Sequence, residues 1–147
     1  MTTVEPLDRV QDRSALRRLV EAYARGADRR DAEMYANVFT DDALLVTQVG
    51  EVRGRERLLT IAPRLERYRV TMHIVANHYV EFDPSDPTHA TGSAYCVARH
   101  VHEVDGVDRV YVMHIRYDDT YVKNGDDWRI AERRLDVLWT EDHPLNQ

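Results

Sequence analysis

Two hydrophobic periods divide the chain. Ala15, Leu16, Leu19, Val20, Tyr23 and Ala27 recur at helical spacing with arginines between them, which predicts a first helix with one buried side. Asp8 followed by Gln11 resembles a capping box at its start. Gly26 marks its expected end, with Ala27-Asp28-Arg29-Arg30 as a turn. Asp31 then caps a short second helix, Ala32 to Phe39, whose Met34, Tyr35, Val38 and Phe39 form one apolar side. Thr40-Asp41-Asp42 breaks it. Ala43 to Val49 reads as a strand, Gly50 to Gly54 as a turn, and Arg55 to about Arg67 as a third helix that Pro63 should kink or shorten.

After Arg69 the period shortens to two. Long strands are predicted over Val70–Asp83, Ala90–Val104, Val107–Val122 and Trp128–Trp139, separated by PSDPT, Asp105-Gly106 and Asn124-Gly125. Helices at the front and consecutive antiparallel strands at the back define an α+β domain with the helices on one face of a sheet. Strands this long must twist and curl, and a curled sheet closed by helices makes a cone with a pocket inside. Within Val70–Phe82 the period puts Thr71, His73, Val75 and Asn77 on one face and Met72, Ile74, Ala76 and His78 on the other. Both faces carry apolar side chains, so neither lies mostly in water. Taken alone, His73 reads as a partly buried histidine satisfied by a backbone carbonyl.

Composition narrows the classes. At 147 residues the chain has the size of one domain, expected to span 1–147. A net charge of −6 argues against general affinity for nucleic acid or an anionic membrane. Cys96 is the single cysteine, so no intramolecular disulfide forms, the patterns of structural zinc are absent, and a reducing cytoplasm fits best. MTTVEPLDRV has neither a basic start nor an apolar run, so a soluble, unexported protein is expected.

Three stretches carry a family likeness: YARGADRRDAEMYANVFTDDA, TMHIVANHYVEF and YDDTYVKNGDDWRIAERR. In this order and at these separations, from about Asp8 to Leu138, the chain resembles the SnoaL-like branch of the nuclear transport factor 2-like (NTF2-like) superfamily. The resemblance implies a cone-shaped, cystatin-like α+β barrel: N-terminal helices on a strongly curved, mostly antiparallel sheet enclosing a pocket. The branch includes scytalone dehydratase, bile acid 7α-dehydratase, the lindane dehydrochlorinase and polyketide cyclases. The small subunits of ring-hydroxylating dioxygenases look related and are mainly structural, so fold does not decide function.

Carried over by residue, the family's dyad falls on Asp28 and His73, and Tyr23 matches the tyrosine of the bile acid dehydratase pattern. Near a helix C-terminus the charged form of Asp28 is disfavoured by the backbone dipole, which suits it to accept an imidazole N–H. It would hold His73 in one tautomer and stabilise it once protonated. His73 is then a candidate general base, since imidazole ordinarily titrates near neutrality. Tyr23 could donate to a substrate carbonyl or leaving hydroxyl. On an ideal helix, residues five apart point about 140° apart, so Tyr23 and Asp28 converge only if the chain leaves the helix near Gly26. The plain alternatives are core packing for Tyr23 and a surface pair with Arg29 or Arg30 for Asp28.

The resemblance also nominates substrate-binding positions. His100 is a candidate second pocket histidine, because scytalone dehydratase has one on a corresponding strand. Asn77 matches an asparagine common after the family histidine, with bonding to nearby backbone as the alternative. Arg133 either pairs with an acid or lines the pocket, and Tyr117 lines the pocket or is core, as Trp128 is expected to be. His100, His102 and His114 could suggest a metal, but no carboxylate sits at ligand spacing and the family works without one. The expected protein is a cofactor-independent lyase or isomerase acting on a small hydrophobic ring compound such as a polyketide, steroid or terpenoid. Dehydration comes first, then ring closure or double-bond migration. A non-catalytic ligand-binding or assembly module is the alternative. The apolar outer face of the sheet predicts a homodimer, with a trimer as the lesser option.

Overall fold

The structure, a computed structural model, describes residues 5–146. Helix α1 covers Leu7–Arg29, α2 Ala32–Ala36 and α3 Arg55–Leu58, followed by a 3₁₀ turn at Ala62–Arg67. The strands are β1 Phe39–Thr47, β2 Gly50–Arg53, β3 Val70–Phe82, β4 His89–Val104, β5 Val107–Asn124 and β6 Asp127–Pro144. Among the described residues they form one sheet in the order β2-β1-β6-β5-β4-β3, antiparallel except where β1 lies parallel to β6. Leu16, Val20 and Tyr23 of α1 and Tyr35 of α2 pack on the concave face against Ala94, Cys96, Ile115, Tyr117 and Ile130. No helix among the described residues is long and apolar enough to cross a membrane.

Several boundaries differ from those the sequence predicts. The capping box at Asp8 does not form: the helix starts earlier, where the Pro6 carbonyl accepts from the N–H groups of Arg9 and Val10 at 3.0 and 3.2 Å. Gly26 does not end α1 either. It lies where α2 crosses, and a Cβ there would stand 2.7 Å from the Tyr35 nitrogen, so the glycine serves close approach. The helix stops at Arg30, whose left-handed φ of 56° lets the Asp31 N–H reach the Gly26 carbonyl at 2.9 Å. Asp31 caps α2 through the Met34 N–H at 2.9 Å, and that helix ends at Ala36, before Phe39 enters β1.

Thr40-Asp41-Asp42 belongs to β1 rather than to a break. The β1–β6 register slips between Phe39 and Leu44, and the polar residues occupy this irregular stretch. Gly50 to Arg53 forms β2 on the edge of β1. Pro63 splits the third helix, with α3 on one side and the 3₁₀ turn beginning beside the proline. Positive φ at both Asp105 (52°) and Gly106 (78°) matches the two-residue hairpin turn. β6 continues past Trp139 to Pro144 because β5 supplies a ladder partner as far as Arg109.

Two features of β3 govern the site. A bulge lies between Val75, paired with Cys96, and His78, paired with Ala94: three steps on β3 span two on β4. The extra residue reverses the alternation, so His78 joins the inner side while Asn77 points outward, exposed. β3 is also an edge strand whose outer backbone groups need partners. Polar side chains of α1 supply them: Arg13 donates to the Val80 carbonyl at 2.9 Å, Arg17 to the Ala76 carbonyl at 2.7 Å, and Asp28 accepts the His73 N–H at 2.9 Å.

Candidate active site

Asp28 sits in the last turn of α1, facing the β3 edge. Its Oδ1 lies 2.6 Å from His73 Nδ1 and accepts the Thr71 hydroxyl at 3.0 Å, while Oδ2 takes the His73 backbone N–H at 2.9 Å. Burial raises the Asp28 pKa, but the bonds from the His73 ring and backbone and from Thr71 outweigh it and hold the carboxyl below its ordinary value. These donors override the helix-end effect expected from position alone. An ionised carboxylate can only accept, so the bridging proton belongs to Nδ1 and the Nε2 lone pair is left free of Asp28. The His73 side chain is 9% exposed and that of Asp28 26%, so the imidazole is the more buried partner and the carboxylate side faces water.

His100 stands next to it on β4, 4% exposed, its ring edge-on to His73 at 5.7 Å between centroids. Its Nδ1 meets the Tyr111 carbonyl at 3.2 Å and Tyr68 packs over it at 4.7 Å. Burial and the nearby His73 push its pKa down to about 4, which keeps the ring neutral near pH 7.

Residues 8–134 match the SnoaL-like domain. The chain belongs to this family. It is 25% identical over 129 residues to hexachlorocyclohexane dehydrochlorinase 1 of Sphingobium indicum, covering 86% of this chain and 81% of that one. In three dimensions it is similar to a scytalone dehydratase-like protein of Novosphingobium aromaticivorans, with a TM-score of 0.81 at 21% identity, covering 95% and 92% of the two chains. A type 2 hexachlorocyclohexane dehydrochlorinase also superposes with a TM-score of 0.81 at 22% identity, over 95% and 93%. The SnoaL-like, cystatin-like α+β fold read from the three motifs is the fold observed.

The other nominated residues of this SnoaL-like protein form one cluster and an outlier. Tyr23, Tyr117 and Arg133 meet in the interior: the Arg133 guanidinium lies 4.3 Å from the Tyr23 ring centre and 4.2 Å from that of Tyr117. Arg133 is fully buried and forks onto Asp119 at 2.8 and 2.7 Å, while its Nη1 has no hydrogen-bond partner. Burial opposes that charge, and Asp119 restores it and raises the pKa. Burial also raises the pKa of Tyr23 and Tyr117, leaving both hydroxyls as donors. Tyr23 does not reach this position through a break at Gly26; α1 stays helical, and the Tyr23 ring packs at a tilt against Tyr35 at 4.6 Å, away from the face that carries Asp28. Asn77 is the outlier. Its amide donates to the Tyr79 hydroxyl at 3.1 Å on the outer side, so the bulge takes it away from the dyad.

Sequence reasoning missed three participants. Thr71 shares the inner face with His73 two residues on, a signal that was available. Arg30 donates to Thr71 Oγ1 at 2.8 Å, but its left-handed backbone has no sequence signature. His78, moved inward by the bulge, meets the Tyr121 hydroxyl at 3.0 Å, which donates to Asp119 at 2.7 Å. His114 faces outward against Glu141 and Trp139, on the opposite side of the sheet from His100. Trp128 is core, as expected, with its N–H on Asp12 at 2.8 Å. Two hollows lie apart from the dyad: an outer groove of about 350 Å³ lined by Val70, Met72, Val101 and Val112, and one of about 450 Å³ beside Tyr79, Asp118 and Arg134.

Proposed function

We propose that this protein is a cofactor-independent lyase or isomerase in which His73, held by Asp28, removes a proton from carbon in a small hydrophobic ring compound. The observation that carries this is the 2.6 Å Asp28–His73 bond, which commits Nδ1 and leaves Nε2 as the basic atom. The names of its relatives, a dehydrochlorinase and a scytalone dehydratase-like protein, describe eliminations, a reaction class in which a proton must leave carbon. In a dehydration the C–H pair becomes the new C=C bond, the C–O bond breaks, and the imidazolium returns its proton to the departing hydroxyl, giving water. Asp28 stabilises the imidazolium, and the free Nη1 of Arg133 with the Tyr23 hydroxyl are the donors suited to a carbonyl or departing oxygen. His100, neutral and buried, and Tyr117 would bound the substrate. Dehydration is the first choice; ring closure or double-bond migration uses the same base.

A deuterium-exchange assay tests the base before the substrate is known. Cyclic ketones and β-hydroxy ketones incubated in D₂O with the protein should exchange an acidic C–H, followed by NMR, at a rate that His73→Gln reduces to background. A wild-type rate no higher than that of His73→Gln across the panel would remove the proposal. The outer face motivates an accompanying proposal, assembly through the sheet as a homodimer. Met72 is 52% and Trp139 55% exposed there, and Val70 and Ile74 join them. Light scattering at micromolar protein should return two chain masses; one would defeat the dimer and three would favour a trimer.

A further inference from the structure

We propose that Arg30 and Thr71 are positioning residues that aim the Asp28 carboxylate at His73; this rests on the reading of His73 as the base. Arg30 spans the junction of three elements. One guanidinium nitrogen, Nη1, donates to the Asp28 carbonyl at 2.6 Å and to Thr71 Oγ1 at 2.8 Å. The other, Nη2, donates to the carbonyls of Leu65 and Tyr68 at 3.2 and 3.0 Å. The arginine thereby ties the end of α1 to the 3₁₀ turn and to the start of β3. Its left-handed φ of 56° turns the chain back so that the side chain can reach both.

The direction of each bond follows from donor chemistry. A guanidinium cannot accept, so Nη1 occupies a lone pair of the Thr71 oxygen. The hydroxyl has one proton, and the acceptor left within reach is Asp28 Oδ1 at 3.0 Å. Oδ1 therefore receives two donors, Thr71 O–H and His73 Nδ1–H, while the His73 backbone N–H holds Oδ2. With both oxygens held, the carboxylate cannot rotate away from the ring. Thr71 is buried and Arg30 half-buried, so water competes weakly for these bonds. The cation of Arg30 also stands at the C-terminal end of α1, where carbonyls favour positive charge.

The readout is the low-field proton resonance of His73 Nδ1–H, identified by ¹⁵N-histidine labelling and by its loss in His73→Gln, which needs no substrate. Thr71→Val, which keeps shape without the hydroxyl, should speed exchange of that proton with water by about tenfold, the scale of one lost hydrogen bond to a charged acceptor. Thr71→Ser should return it toward the wild-type rate. Arg30→Lys cannot span four oxygens and should act as Thr71→Val does. If Thr71→Val does not fold, Thr71→Ala against Thr71→Ser gives the same contrast. A merely structural role would lower the melting temperature and leave the resonance unmoved, and that result overturns the proposal. A response to Thr71→Val with none to Arg30→Lys overturns the role of Arg30. Because no turnover is measured, a protein with this signature and no deuterium exchange would lose its proposed function while keeping the positioning device.

Discussion

The dyad corner and the Arg133 cluster both surround a charge with hydrogen bonds, yet they differ in what is left unused. At the corner, Asp28 takes three donors from the edge strand and the carboxylate side stays in touch with water. Under α1, Asp119 and Arg133 are paired two-fold, each with a fully buried side chain, with Tyr121 and His78 attached behind them. In the first arrangement Asp28 bonds only Nδ1 of the ring, and the carboxylate is the more exposed partner, which suits the proposed role of His73 as a base. The second holds its charge permanently, and its one open position is the Nη1 donor. A base and a donor are thus built by different means. The proposed base is placed at a sheet edge and the proposed donor in the buried interior.

The largest effect that would break this comparison is on catalysis. His73→Ala should cost about 10²–10⁴-fold in C–H exchange or turnover while circular dichroism shows an intact fold, and Asp28→Asn should also lower the rate strongly by losing tautomer control. Near-normal turnover in His73→Ala would end its assignment as base. Next comes stability: Asp119→Asn strips the buried arginine of its counter-charge and should cost about 3–5 kcal/mol in denaturant unfolding. A loss below about 1 kcal/mol would mean that the cluster is wetter than its burial indicates.

A pH effect sharpens the contrast. His100 has a folded pKa of about 4 against an ordinary 6.5, so below 6.5 the unfolded chain takes up a proton that the folded ring refuses. Its contribution is present in full above 6.5 and is lost as pH falls toward 4. His100→Gln should therefore flatten the stability curve in that window, and an unchanged slope would contradict the assignment. The smallest effect belongs to Asn77→Ala. Pointing outward on the far side of the bulge, it should shift stability by no more than about 0.5 kcal/mol and leave C–H exchange intact. A strong loss of exchange would show that the bulge is placed wrongly.

The sequence by itself determined the class of fold and, through the family resemblance, named the two residues of the dyad. Helical spacing through Tyr23, the Asp31 cap, the Asp105-Gly106 turn and the two-residue period near His73 are all local, and local spacing survives folding. Asp28 and His73 were nominated through the family resemblance that the three motifs carry, since no local spacing pairs residues so far apart in the chain. Tertiary structure decided the rest. Gly26 reads as a helix stop from its own propensity, but the crossing of α2 gives it a different task. Alternation along β3 assigns Asn77 to the inner face until pairing with β4 inserts one extra residue and brings His78 inward instead. Arg133 could pair with an acid or line a pocket; only the approach of β5 and α1 shows that it does the first with two nitrogens and keeps the third free. A register slip or a helix crossing belongs to two elements at once, and a single stretch of residues carries no record of its partner.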